Sequence, residues 1–135
     1  MSVRTVFLAR LIGLYCLIMA AAMLSQPEAF VTIVHALMAD APLVLIAGVF
    51  TLFGGLAIVL LHNYWSGGAL TIIITLLGWL TLIKAVVLLV LPPARLVALY
   101  GGVSPAHILI SGSLTLLLGI YLTVAGFRRS TSAFT

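Results

Sequence analysis

The chain has 135 residues, 64% of them hydrophobic and 6% charged, with a mean hydropathy of +1.40. Six basic and two acidic side chains cannot cover a soluble domain of this size, so composition excludes a soluble enzyme, a disordered chain and a nucleic-acid-binding domain. The net charge of +4 then describes a few arginines at a membrane surface, and the lone Cys16 leaves no disulfide framework or multi-thiolate metal site.

From the N-terminus, the first apolar run covers about Val6 to Leu24, close to the ~20 residues that cross a bilayer. Arg4, Arg10 and the small triplet Ala20, Ala21, Ala22 would also fit a signal peptide; a match to the third span, given below, favours a retained helix. In Pro27 to Ala41, Ala29, Phe30, Ile33, Val34, Leu37 and Met38 recur at helical spacing in a stretch too short to span. That predicts a short outer amphipathic helix, on the membrane surface or folded back over the bundle. The second span runs from Pro42 to Leu61, and a turn through His62, Asn63, Tyr64, Trp65, Gly67 and Gly68 leads to the third, Ala69 to Leu91. After Pro92 and Pro93 a shorter helical stretch, Ala94 to Tyr100, precedes Gly101, Gly102 and the fourth span, Pro105 to Phe127. Backbone groups in lipid must be satisfied within each span, so the reading is all-α: one integral membrane domain over residues 1–135, a transmembrane four-helix bundle.

Arg4, Arg10, Arg128 and Arg129 cluster at the chain ends, whereas Arg95 alone lies on the opposite side. Positive charge stays inside, so both termini are expected in the cytoplasm of a bacterial inner membrane. The first and third spans align at an offset of 65: Leu11-Ile12-Gly13 with Leu76-Leu77-Gly78, Leu17-Ile18 with Leu82-Ile83, Ala20 with Ala85, Pro27 with Pro92. The second and fourth align at 64: Gly48, Thr51, Leu52 and Gly55 with Gly112, Thr115, Leu116 and Gly119. These matches predict two tandem helical hairpins related by a pseudo-two-fold along the membrane normal.

Each span carries small or weakly polar residues suited to close packing and interhelical hydrogen bonds. They are Ala9, Gly13, Cys16 and Ala20; Gly48, Thr51 and Gly55; Thr71, Thr75, Gly78 and Ala85; and, at fourfold spacing, His107, Ser111, Thr115, Gly119 and Thr123. Gly54-Gly55 reads as a packing site. The same stripes would also suit a polar path through the bundle.

Lys84 is the one charge well inside a span, about 12 Å below the outer end; it either marks function or snorkels outward. Asp40, at the outer start of the neighbouring span, is its expected partner. His62 closes the second span, where its ring can cap the last carbonyls or meet a headgroup. His35, Asp40 and His107 form a candidate outer-side ligand cluster without metal-site spacing, and His35 with His107 is the only pair compatible with haem. No nucleophile–base pair, paired carboxylates or phosphate loop occurs, so no catalytic residue, metal or cofactor is assigned.

His62-Asn63-x-Trp65, then Thr75-x-x-Gly78-Trp79, Lys84 and Pro92, resemble a group of small, uncharacterised bacterial four-span membrane proteins. Those share a histidine-asparagine-aromatic turn and a glycine-tryptophan-lysine third helix. The resemblance implies that His62, Asn63, Trp65, Gly78, Trp79 and Lys84 matter most, and it supplies no activity. The functional expectation is a non-enzymatic inner-membrane accessory or scaffold protein, embedded in the lipid bilayer with a membrane protein partner or as a homo-oligomer. The alternative is a small oligomeric channel or transporter for protons, ions or a small solute using Lys84.

Overall fold

Proline sets where many of the helices begin. Its fixed φ and missing N–H suit the first turn. It occupies that turn in α2 (Pro27–Ala39), α3 (Ala41–Leu61), α5 (Pro93–Tyr100) and α6 (Pro105–Arg128). α1 (Val3–Ser25) starts instead from a Ser2 cap whose hydroxyl accepts the Thr5 N–H, and α4 (Ala69–Val90) follows Gly67 and Gly68. Those glycines have φ of 110° and 111°, a left-handed turn closed to other residues without strain. The computed structural model describes residues 2–128, and among them there are six helices and no strand. Arg129 lies outside the described residues.

Four helices, α1, α3, α4 and α6, are long and apolar enough to cross a membrane. Their outer surfaces carry exposed Ile18, Phe50, Phe53 and Leu60, as lipid-facing surfaces do. The chain is a multi-pass membrane protein by this measure. The expected spans hold to within about three residues at either end.

The helices pack as two antiparallel pairs, α1 with α6 and α3 with α4. Both seams are made by glycine. A Cβ on Gly119 would meet the Leu17 backbone nitrogen at 2.9 Å, and one on Gly55 the Leu82 nitrogen at 2.8 Å. A Cβ on Gly13 would meet Thr123 Oγ1 at 2.5 Å, and one on Gly78 Ile58 Cγ2 at 2.6 Å and Val59 Cγ2 at 3.3 Å. Gly112 lies against Leu24 and Met23, and Gly48 against Leu89 and Leu88. Without side chains at these points the backbones approach closely, which is how helices associate where lipid supplies no hydrophobic drive.

The pairs meet directly at one end and are bridged by α2 at the other. At the end carrying Ser2 and Arg128, the terminal end, Leu8 and Ala9 of α1, Leu70 and Ile74 of α4 and Leu122 of α6 form one core, with Ile58 of α3 against it. At the opposite end, Met38 of α2, Val44 of α3, Leu88 of α4 and the fully buried Leu96 of α5 form the second. The stretch expected to be amphipathic is therefore α2 folded back over the bundle, touching α3, α5 and α6. Val34, Leu37 and Met38 turn inward, whereas Ile33 stays exposed.

The small-residue stripes divide in their fate. All four proposed on α1 (Ala9, Gly13, Cys16, Ala20) and all four on α4 (Thr71, Thr75, Gly78, Ala85) are buried. The fourfold stripe on α6 follows the packing face only in its second half: His107 and Ser111 are exposed, Gly119 and Thr123 lie in the seam, and the buried glycines are Gly112, Gly119 and Gly126. Their spacing of seven keeps them on one seam along an antiparallel partner. The hydroxyls also bond differently from expectation. Ser111, Thr115, Thr51 and Thr81 donate to carbonyls four residues earlier in their own helices, at 2.7–2.8 Å, not across helices. Of the Gly54-Gly55 pair, only Gly55 is a packing site.

Candidate functional site

At the terminal end α3 stops at Leu61, and the chain folds back along α4 before turning at Gly67 and Gly68. Thr75, fully buried, holds this return. Its Oγ1 accepts the Tyr64 N–H at 3.2 Å and has three carbonyls in donor reach, Tyr64 at 2.9 Å, Thr71 at 3.1 Å and His62 at 3.5 Å.

His62 is also fully buried. Its backbone N–H closes α3 on Ile58 O at 2.8 Å, but its ring does not cap α3 as expected. Nε2 lies 3.3 Å from the Thr71 carbonyl of α4, which can only accept, so Nε2 carries the proton. Nδ1 is then left to accept from the Thr5 hydroxyl of α1 at 3.4 Å, and Thr5 Oγ1 is 2.9 Å from Ser2 Oγ. The polar chain Ser2–Thr5–His62–Thr71 thus ties α1 and α4 through the end of α3. The Tyr64 ring meets the imidazole edge-on, centroids 5.3 Å apart.

Asn63 lies just outside this knot. Its Oδ1 accepts from the indole of Trp65 at 3.0 Å and, at 3.4 Å, from that of Trp79. The resemblance-bearing residues His62, Asn63, Trp65 and Trp79 are therefore joined, directly or through the turn. Gly78 sits in the α3–α4 seam. Lys84 is not part of the knot.

Lys84 lies on the outside of α4, exposed, in line with exposed Leu76 and Leu80 and beside exposed Ile83. The expected ion pair with Asp40 does not form among the described residues. Asp40 instead caps α3, accepting the Leu43 N–H at 3.1 Å, and Lys84 faces away from the Gly78–Ala85 side of α4 that is buried. The physical reason is competition: a carboxylate beside a helix N-terminus finds a local N–H without crossing to a neighbouring helix.

The outer-side cluster likewise falls apart into separate roles. His107 reaches back to Ser104, its Nδ1 accepting the Ser104 N–H at 3.3 Å with the Ser104 hydroxyl at 2.8 Å, and so caps the start of α6. His35 lines a cleft between α2 and α5 with Met38, Val97, Tyr100 and Gly101. Among the described residues no group of three His, Cys, Asp or Glu is placed to hold a metal ion.

Three further residues, Arg10, Thr5 and Ser2, make contacts that no motif marks. Arg10 donates through Nε to the Gly126 carbonyl at 3.1 Å, and its guanidinium lies 4.6 Å from the centre of the Phe127 ring. Thr5 reaches His62, which only the fold brings near, while Ser2 bonds Thr5 locally as the α1 cap. Among the residues around His62, Thr71 and Thr75 were signalled by the sequence, as members of the α4 stripe.

No family model, curated protein or solved structure matches the chain. What stands of the resemblance is its coarse part: four apolar helices of membrane-crossing length.

Proposed function

We propose that the protein is a non-enzymatic accessory or scaffold subunit of a bacterial inner membrane, binding its partner through the outer face of α4. One observation carries this reading: Lys84, a cation at membrane depth, lies on the exterior and finds no carboxylate within its own chain among the described residues. A charge there costs about 2.5–3.5 kcal/mol by insertion scales, and an acidic residue on a neighbouring membrane helix offsets that cost. Leu76, Leu80 and Ile83 supply the apolar contact around it. The partner is a membrane protein with a carboxylate at that depth; in a homo-oligomer the counter-charge would have to be Glu28 or Asp40 of another copy. Lys84 lines neither the His35 cleft nor the cleft beside Arg4, so permeation through one chain has less support.

Duplication of a helical hairpin fits this reading as the origin of the scaffold. It is supported by the seams: Leu17 opposite Gly119 and Leu82 opposite Gly55 stand 65 and 64 residues apart, as do Met23-Leu24 opposite Gly112 and Leu88-Leu89 opposite Gly48. Cytoplasmic termini follow from the arginines at the terminal end. Photocrosslinking groups at Leu80 and Ile83 in native membranes test the interface. The expected result is a defined adduct that survives Lys84→Arg and disappears in Lys84→Glu; no adduct, or one indifferent to both changes, sinks the reading.

A further inference from the structure

A cleft of about 270 Å³ opens between the first two turns of α1 and the last turn of α3, lined by Val3, Arg4, Phe7, Leu8 and Leu61. It exists because α1 packs on α6 and α3 on α4, leaving these two ends bridged by the Thr5–His62 contact. Four of its five lining residues are apolar, and Val3, Phe7 and Leu61 are at least half exposed. The fifth, Arg4, is exposed and makes no hydrogen bond or ion pair among the described residues. α1 has no acidic residue in its first turn. Ser2 satisfies the N–H groups of Thr5 and Val6, while those of Val3 and Arg4 have no partner among the described residues. An unopposed guanidinium, two free N–H donors and the positive end of a helix thus meet at the mouth of an apolar groove.

We propose that this groove is a binding site for one anionic phospholipid. The phosphate sits on the Arg4 guanidinium and the N–H groups of Val3 and Arg4, and one acyl chain lies along Val3, Phe7 and Leu61. Arg4 suits this task because its planar fork takes two phosphate oxygens at once. A zwitterionic lipid offers the same phosphate, but its ammonium opposes the local positive charge, so the site selects by headgroup charge. Shape selects too: apolar lining alone would accept any acyl chain, whereas the cation fixes the depth of the headgroup.

The test is retention of dioleoyl phosphatidylglycerol against dioleoyl phosphatidylcholine by the purified full chain, read by native mass spectrometry. Wild type should keep one phosphatidylglycerol in preference to phosphatidylcholine, and Arg4→Gln should lower that preference about tenfold or more, as loss of a charged hydrogen bond does. Arg4→Lys should keep part of the preference. Phe7→Ala should weaken retention of both lipids alike, because it removes groove wall and not charge. Arg95→Gln, at the opposite end of the bundle, should change nothing. Equal retention of the two lipids by wild type overturns the proposal. So does an Arg4→Gln chain that keeps its selectivity, or an equal loss in Arg95→Gln, which would mean that net charge alone is read.

Discussion

The two seams of the bundle are built alike and finished differently. Along α1–α6 and α3–α4, glycines at matching positions press against matching backbone, down to the pairs Gly119–Leu17 and Gly55–Leu82. The seams diverge one level nearer the terminal end. There the α6 position is Gly126, packed on Arg10, and the α3 position is His62, packed on Thr71 and Thr75. In one seam Arg10 donates to the Gly126 carbonyl; in the other Thr75 Oγ1 stands within reach of the His62 carbonyl. The shared part holds the helices together and needs only the absence of side chains. The divergent part replaces a long cation, which reaches over Phe127, with a short hydroxyl, and that leaves room for the His62–Asn63 turn to fold inward.

The largest effect tests the shared part. Gly55→Ala and Gly119→Ala each drive a Cβ into backbone, which cannot move as a flexible side chain can. Overpacking of this kind costs about 1–3 kcal/mol and sometimes more. Both variants should lose thermal stability in mild detergent by similar amounts, read as the loss of monodisperse protein after heating. A large loss in one and none in the other would mean that the seams are not equivalent.

The next effect tests the divergent part. Thr75→Val keeps the shape but leaves the Tyr64 N–H unpaired in a part-buried turn, a loss of about 1–3 kcal/mol. Thr123 is the contrast. Its Oγ1 is buried with no hydrogen-bond partner among the described residues, pressed against Gly13, and the aligned position in α3 is Val59. Thr123→Val should therefore hold or raise stability, by about 1 kcal/mol, because it removes an unsatisfied polar atom. The two substitutions are chemically identical and should differ in sign in one melting experiment; the same sign would break the contrast.

Much of the helical frame was legible in the sequence because it rests on local rules. Apolar length gave the spans, proline gave most helix starts, and Gly67-Gly68 gave the turn. The small residues of α1 and α4 also marked their buried faces. The α6 face was only half legible, because its hydroxyls repeat every four residues more visibly than its glycines repeat every seven, and the two patterns share the face only near Gly119 and Thr123. A serine or threonine that bonds its own helix tolerates an outer face, so regular spacing did not report packing. Likewise Asp40 and Lys84 pair naturally on a diagram of helix ends, but the carboxylate is taken by Leu43. His62 was legible as the end of α3; its bonds to Thr5 and Thr71 depend on which helices become neighbours, and no local spacing encodes that.

The smallest effect discriminates between two adjacent glycines. Gly54 and Gly55 read alike in sequence, yet a Cβ on Gly54 would meet nothing within 4 Å, whereas one on Gly55 would strike Leu82. The position aligned with Gly54 in α6 is Leu118, so the proposed duplicate already carries a large side chain there. Glycine inside a helix is less favourable than alanine by about 1 kcal/mol or less, since it loses more backbone freedom on folding. Gly54→Ala should therefore match or slightly exceed wild-type stability in the assay that shows Gly55→Ala failing. If Gly54→Ala is instead destabilising, its open side is covered in the membrane by something beyond this chain. Comparing Gly54→Ala in detergent with Gly54→Ala in native membranes identifies that case, because a covering partner would penalise it only in the membrane.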